Sequence, residues 1–415
     1  MIKRSGRSGL VRERRGAMLV FVAVAGVVLM GFLTLTLDIG AGARQRRIAQ
    51  TAADAAAFAG GQEIFRLQSS DTVNAAAYRE ANRNGFDNTA TVVSYPPATG
   101  PHAGDPKYVE VVVSKTISTI FGSMFNKASM DIQARGVAGV GTTNTNCVYS
   151  LNPTGSQSML LNGNITANCG VAVNSTAADA IYVKSGKDLD ASAIAVSGGT
   201  SGGGGMSPAP TIGATQAVNP LAYLTMPTVG ACTFSSTVVV SGTVNLNPGV
   251  YCGGISITNA SNTANLAPGT YIIAGGGLTV TNSARINGTG VTFIFTNGPG
   301  NNAAAYAGID FGNGCKANLS APTSGLFKGI LMFQDPAAGL SGTTYVNTFA
   351  CANDFPLVGT LYFPTQTAYF GGSNSDTQIN GGLVALNVEV KAGTTLTMNQ
   401  LPTTSSALLR VALVE

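Results

Sequence analysis

Between Gly16 and Leu37 the chain runs for 22 residues without a charged side chain. As an α-helix that stretch spans about 33 Å, enough for a hydrocarbon core of about 30 Å. Within lipid a helix keeps every backbone hydrogen bond inside its own segment, so a helix is what this run predicts. Residues 1–15 carry Lys3, Arg4, Arg7, Arg12, Arg14 and Arg15 against the single acid Glu13. This basic excess predicts a cytoplasmic segment at 1–15, a transmembrane helix at 16–37, and everything after Leu37 on the far side of the membrane. Arg44, Arg46 and Arg47 oppose that orientation but form the smaller patch. A cleaved signal peptide is the competing reading, because Ala41-Gly42-Ala43 has the small-x-small form; its apolar region is ordinarily shorter, roughly 7–15 residues. A buried helix of a soluble protein is the third.

The segment after the span is alanine-rich and just as ordered in its features. The succession RRGA, apolar span, LDIGAGARQRRIAQTAADAAAFAGGQEI resembles the N-terminal domain of TadG-like Flp pilus-assembly proteins of the bacterial tight-adherence (Tad) machinery. The positions that carry it are Arg15, Gly16, Asp38, Gly40, Gln50, Ala52, Ala53, Asp54, Ala55, Ala56 and Ala57. The resemblance implies a pilus-system component anchored in the bacterial inner membrane, whose partners are inner-membrane lipid, pilins or pseudopilins, and the assembly platform. Asp38, Asp54, Ala52, Ala55 and Ala56 are the candidate partner contacts; a plain high-propensity helix with solvated Asp54 is the blander reading. Two family features are missing. Counted from Ala17 the fifth residue is Phe21 rather than the Glu of a processed prepilin, and no Asp-x-Ser-x-Ser triplet marks a von Willebrand A domain.

Only 10% of the residues are charged, so the surface outside the membrane must be largely neutral. Residues 1–144 hold 16 basic and 10 acidic side chains, a net +6; residues 145–415 hold 7 and 9, a net −2. The basic excess belongs to the anchor, which argues against nucleic-acid binding. All six cysteines, Cys147, Cys169, Cys232, Cys252, Cys315 and Cys351, lie in the predicted external part, as disulfides of an oxidising compartment would. Sequential pairing is the expectation: Cys147–Cys169, Cys232–Cys252 and Cys315–Cys351. With His102 as the sole histidine and no Cys-x-x-Cys, no zinc site is expected.

Residues 38–140 predict a helix followed by a small α+β, pseudopilin-like unit. Gly40 and Gly42 are expected to loosen the first helix before it resumes over Ala43–Leu67. A second helix capped by Ser70 or Asp71 ends near Asn84, with Gly85 just beyond. Strands follow at Thr89–Tyr95 and Lys107–Lys115, a short helix at Ile117–Phe125, and a strand around Met130–Arg135.

From residue 146 onward short Val/Ile/Leu strands are punctuated by Gly, Asn, Thr and Ser. Asn245-Leu-Asn-Pro-Gly-Val-Tyr251 recurs as Asn265-Leu-Ala-Pro-Gly-Thr-Tyr271, offset by 20 residues, each leading to an alternating strand. That period predicts a large all-β domain over 146–415, a parallel β-helix or similar solenoid, with a β-sandwich as the alternative. The Gly-rich stretch 198–209 reads as a flexible insertion splitting it, and the final strand as a seal on one end. No catalytic, cofactor or metal site is expected. The acids here are scattered apart from Asp188 and Asp190, and no histidine can act as acid or base. The function expected is a minor pilin-like or assembly factor. The alternative is an adhesin binding surface glycans on a face rich in Thr, Asn and the tyrosines Tyr345, Tyr362 and Tyr369; a β-helical carbohydrate enzyme is the third class.

Overall fold

A computed structural model of the chain describes residues 10–65, 68–124, 126–143, 146–222, 224, 226–298, 306–312, 314–338, 346–351, 356–372, 376–402 and 407–414. The chain divides into two compact units. One comprises Met1–Gly141 with Val411–Glu415, the other Thr142–Arg410.

The N-terminal unit is organised on one helix, α1 (Leu10–Phe65). From Met18 to Phe32 it is apolar on every side: Phe21 is 76% and Leu29 68% exposed, with no protein packed against them. A helix hydrophobic all round needs an apolar solvent, and this is the one described helix long and apolar enough to cross a membrane. The charges of 1–9 lie outside the described residues. The expected loosening at Gly40 and Gly42 does not occur; α1 is continuous through both. Gly42 is buried instead, where a Cβ would sit 3.0 Å from the sulfur of Met130.

The second half of α1 packs on α2 (Ser70–Arg83) and on a four-stranded sheet. Ser69, not Ser70 or Asp71, caps α2, accepting from the backbone N–H of Thr72. Gly85, at φ +85°, takes the left-handed position just past the end. The sheet runs β1 (Thr91–Ser94), β2 (Tyr108–Ser118), β3 (Ser129–Thr143) and then the strand Leu409–Leu413. Val109, Val111 and Val113 alternate into the core with no exposure. The helix expected at Ile117–Phe125 shrinks to α3 (Phe121–Met124), because β2 stays paired with β3 as far as Ser118–Ser129. The final strand does not seal the β-rich region. It joins this sheet beside β3, with the N–H of Val414 donating to the Val137 carbonyl at 2.9 Å.

The second unit is built from two large sheets, of 18 and 10 strands, and their ladders among the described residues are parallel. Antiparallel pairing, from which a β-sandwich is made, is not seen in them. Three consecutive short strands form a layer. In one layer these are Thr243–Leu246, Gly249–Tyr251 and Ile255–Ile257; each pairs in register with Thr263–Leu266, Gly269–Ala274 and Gly276–Val280 of the next. The 20-residue repeat is this step: Asn245 lies beside Asn265. Inward Ile255 and Ile257 flank outward Ser256, and their layer stacks into one continuous apolar core.

The layers are not stacked in chain order. The ten-stranded sheet runs Gly205–Ser207, Asp188–Asp190, Asn164–Ala167, then Thr395–Asn399, and from there back down the sequence to Thr243–Leu246. Thus Leu383↔Val148, Val388↔Met159 and Leu396↔Ile165 pair across the junction between the first three layers of the chain and its last. The segment joining the two blocks travels back along the outside. Gln216 and Ala217 bond to Asn174, Asn219 donates to the Tyr362 hydroxyl, Leu221 and Leu224 are buried, and Cys232 pairs with Cys252.

The Gly-rich stretch 198–209 is not an insertion. It supplies the outermost layer, with strands at Thr200–Gly202 and Gly205–Ser207. Gly202 has φ +94°, and a Cβ there would lie 2.0 Å from the Val183 carbonyl oxygen. Glycine lets this backbone lie flat on the layer beneath it.

Candidate functional site

The three disulfides form in sequential order, as expected: Cys147–Cys169, Cys232–Cys252 and Cys315–Cys351. Two have Cα atoms 5.7 Å apart, the usual spacing for a bridge between neighbouring strands. Each ties one layer of the β-rich unit to another part of it.

The residues singled out on α1 divide into an inner and an outer set. Asp38 is buried at the point where the apolar span ends. Its two carboxylate oxygens accept from the backbone N–H groups of Ile120 (2.9 Å) and Gly122 (3.1 Å). It therefore pins the β2–β3 connection, and the start of α3, to α1 just past its apolar run. Ala52 and Ala56 have no exposure; they meet Ala77, Ala81, Val111 and Val113 within the unit. Asp38, Ala52 and Ala56 thus make contacts within the unit itself, and the small side chains of Ala52 and Ala56 let α2 and the sheet approach. Gly136 completes the fit, since a Cβ there would meet the Ala53 backbone at 2.8 Å. Asp54 is half-buried and accepts from the Gln50 amide at 2.7 Å, while Gln50 also donates to the Arg135 carbonyl.

The outer set is what remains. Arg44, Arg47, Ile48, Thr51, Ala55 and Phe58 recur at helical spacing on the side away from the sheet, with Ile48 39% and Phe58 40% exposed. Of the five candidates, Ala55 alone lies in this stripe. Ile48 and Phe58 were missed, although their three- and four-residue spacing opposite the Ala52/Ala56 face was the signal that marks them.

Behind β2, Glu110 is buried and receives hydrogen bonds from Arg135 Nε (2.6 Å), Ala98 N, Thr99 N and the Thr99 hydroxyl. Burial works to raise its carboxyl, but the bonds from Arg135 and Thr99 outweigh it and hold the group below its ordinary value. This clamp fixes the loop before β2 onto the sheet. His102 stacks on Tyr108 with ring centroids 3.9 Å apart.

On the β-rich unit Asp188 and Asp190 stand exposed on one strand, and no group of three His, Cys, Asp or Glu side chains that could hold a metal occurs among the described residues. Tyr362 is not on an outer binding face: it is 2% exposed beneath Asn219. Tyr345 lies outside the described residues. Tyr369 does face outward, in a row in register with Glu389, Leu160 and Tyr182 across the junction of the two blocks. Burial among these neighbours pushes the Glu389 carboxyl up.

Comparison with known proteins agrees with the anchor. Residues 16–63 match the family model described as "Putative Flp pilus-assembly TadE/G-like". The match covers the apolar span and the alanine-rich helix, which are the residues that carried the resemblance. The chain thus carries, over residues 16–63, a segment similar to that family. No curated protein and no solved structure matches it.

Proposed function

We propose that the protein is a membrane-anchored structural component of a Tad/Flp pilus system, a minor pilin-like subunit or assembly factor. The carrying observation is that the pilus-assembly match coincides with the apolar half of α1 and its packed continuation. On this reading the basic N-terminus is cytoplasmic, and the β-rich unit is a three-sided parallel β-helix lying in the periplasm or at the surface. The Arg44–Phe58 stripe meets pilins, pseudopilins or the assembly platform. The protein acts by assembly rather than by turnover. Deleting the gene should abolish or sharply reduce surface pili counted by electron microscopy; unchanged pilus number and length would sink the proposal. A Phe58→Asp variant with normal membrane levels should reproduce the loss.

A second reading rests on the outward row Tyr369, Glu389, Leu160 and Tyr182. Tyrosine faces with a carboxylate between them suit stacking on, and hydrogen bonding to, a surface glycan. It predicts normal piliation with lost adherence.

A further inference from the structure

We infer that the two ends of the layered stack bind each other between copies, so that the β-rich units assemble head to tail. The columns of the core run the length of the stack, apolar except where buried Gln334 and Ser150 enter the first, and they end at both ends on half-buried or exposed side chains. One column begins Phe234, Tyr251, Ile273, Phe295 and finishes Val173, Val196, Ile212. Tyr251 and Val196 have no exposure, whereas Phe234 is 38% and Ile212 61% exposed. The second column ends in Val238 over Ile255 and in Thr200 over Ile181; the third in Val244 over Ala264 and in Met206 over Leu189. Both ends also present unpaired strand edges.

Natural sheets guard such edges with charge. Here Ala191 to Ala284, 94 residues that furnish the terminal layers of both ends, contain no charged residue and no histidine. An edge with a bare apolar column and no charge is a template for another strand. The other end of a second copy is what matches it. It offers strands running in the same direction, so the second and third columns continue from Thr200 to Val238 and from Met206 to Val244, while the first column, one member longer, brings Ile212 against Phe234. The chain already makes such a joint internally, where Leu383, Val388 and Leu396 receive Val148, Met159 and Ile165 with no chain continuity between neighbours. The chain also enters this unit at Asn146–Ser150 and leaves it after Thr395–Asn399, in adjoining layers of the stack, so its connections lie at neither end. Opposite, non-identical faces that join by translation give an open chain of subunits rather than a closed dimer.

The test uses the full chain in detergent, whose six native cysteines are all paired. Ile212→Cys and Phe234→Cys stand about 48 Å apart in one molecule, ten strand spacings, and so cannot react with each other within it. The double variant, mildly oxidised, should give a ladder of covalent multimers on a non-reducing gel. Each single variant should stop at the monomer or a trace of dimer. Thr200→Cys with Val238→Cys repeats the test on the second column, should loss of Phe234 disturb its layer. By sedimentation, Ile212→Asp should weaken self-association about tenfold or more. A wild-type chain that stays monomeric, or a double variant that stops at dimer, overturns the inference. Because the assay reads purified protein, its result is separate from that of the pilus count.

Discussion

The two units bury their apolar faces in contrasting ways. In the N-terminal unit one long helix is the platform, and α2, α3 and the sheet lean on it, helped by residues cut down to fit: Ala52, Ala56 and Gly136. In the β-rich unit no element is central. Each layer rests on its neighbours, and the core is a set of columns to which every strand adds one or two side chains. A platform concentrates sensitivity at the close contacts of its helix, whereas a stack spreads it over many similar steps.

That contrast can be tested by segment-resolved hydrogen exchange, which reports each unit separately. The largest effect is expected at Gly136. Gly136→Val drives two methyl groups into the Ala53 backbone and should cost about 4–5 kcal/mol, opening α2 and β1–β3 while protection of the β-rich unit stays unchanged. Equal loss in both units would break the distinction. Next is Glu110→Gln, which removes the charge that receives Arg135 and should destabilise the N-terminal unit by about 3 kcal/mol. The sign of its pH dependence follows from the lowered carboxyl. Its stabilisation is fully present above the unfolded value near 4.3 and is lost as pH falls through the lower folded value. An acid titration followed by circular dichroism should therefore show wild type losing this contribution below about pH 4 and the Gln variant lacking that component. The smallest effect is expected in the stack. Asn287 donates to Asn265, which donates in turn to Asn245, one rung per layer. Asn287→Ala should cost about 1 kcal/mol in thermal unfolding, with loss confined to adjoining layers; a cost comparable to that of Gly136→Val would show the stack to be no more forgiving than the platform.

Sequence made different parts of each unit legible. The apolar run and the alanine pattern located α1 and its family, because lipid and close helix packing each leave a compositional trace. Which partner the alanines met was open, since a stripe of small side chains serves an internal sheet and an external protein equally well. In the β-rich unit the Asn245/Asn265 repeat and the cysteine spacings gave the step between layers and the disulfides. The order of the layers was hidden: Leu383 meets Val148 through pairing that leaves no local signature. Stretch 198–209 was misread for a related reason, because glycines packed flat on a neighbouring layer look in sequence like a flexible loop. Of the candidate contact face, Ala55 was found while Ile48 and Phe58 were passed over, their exposure being set by where the sheet lies.

The returning order of the layers, together with the last strand, also sets a schedule. Residues 146–212 emerge early in synthesis yet find their lower neighbour only when 383–399 have emerged, and β3 gains its outer partner only with 409–413. Both units are therefore finished by the same late stretch of polypeptide. While the chain is being made, the early layers hold an open sheet edge for which the rest of their own molecule has yet to arrive.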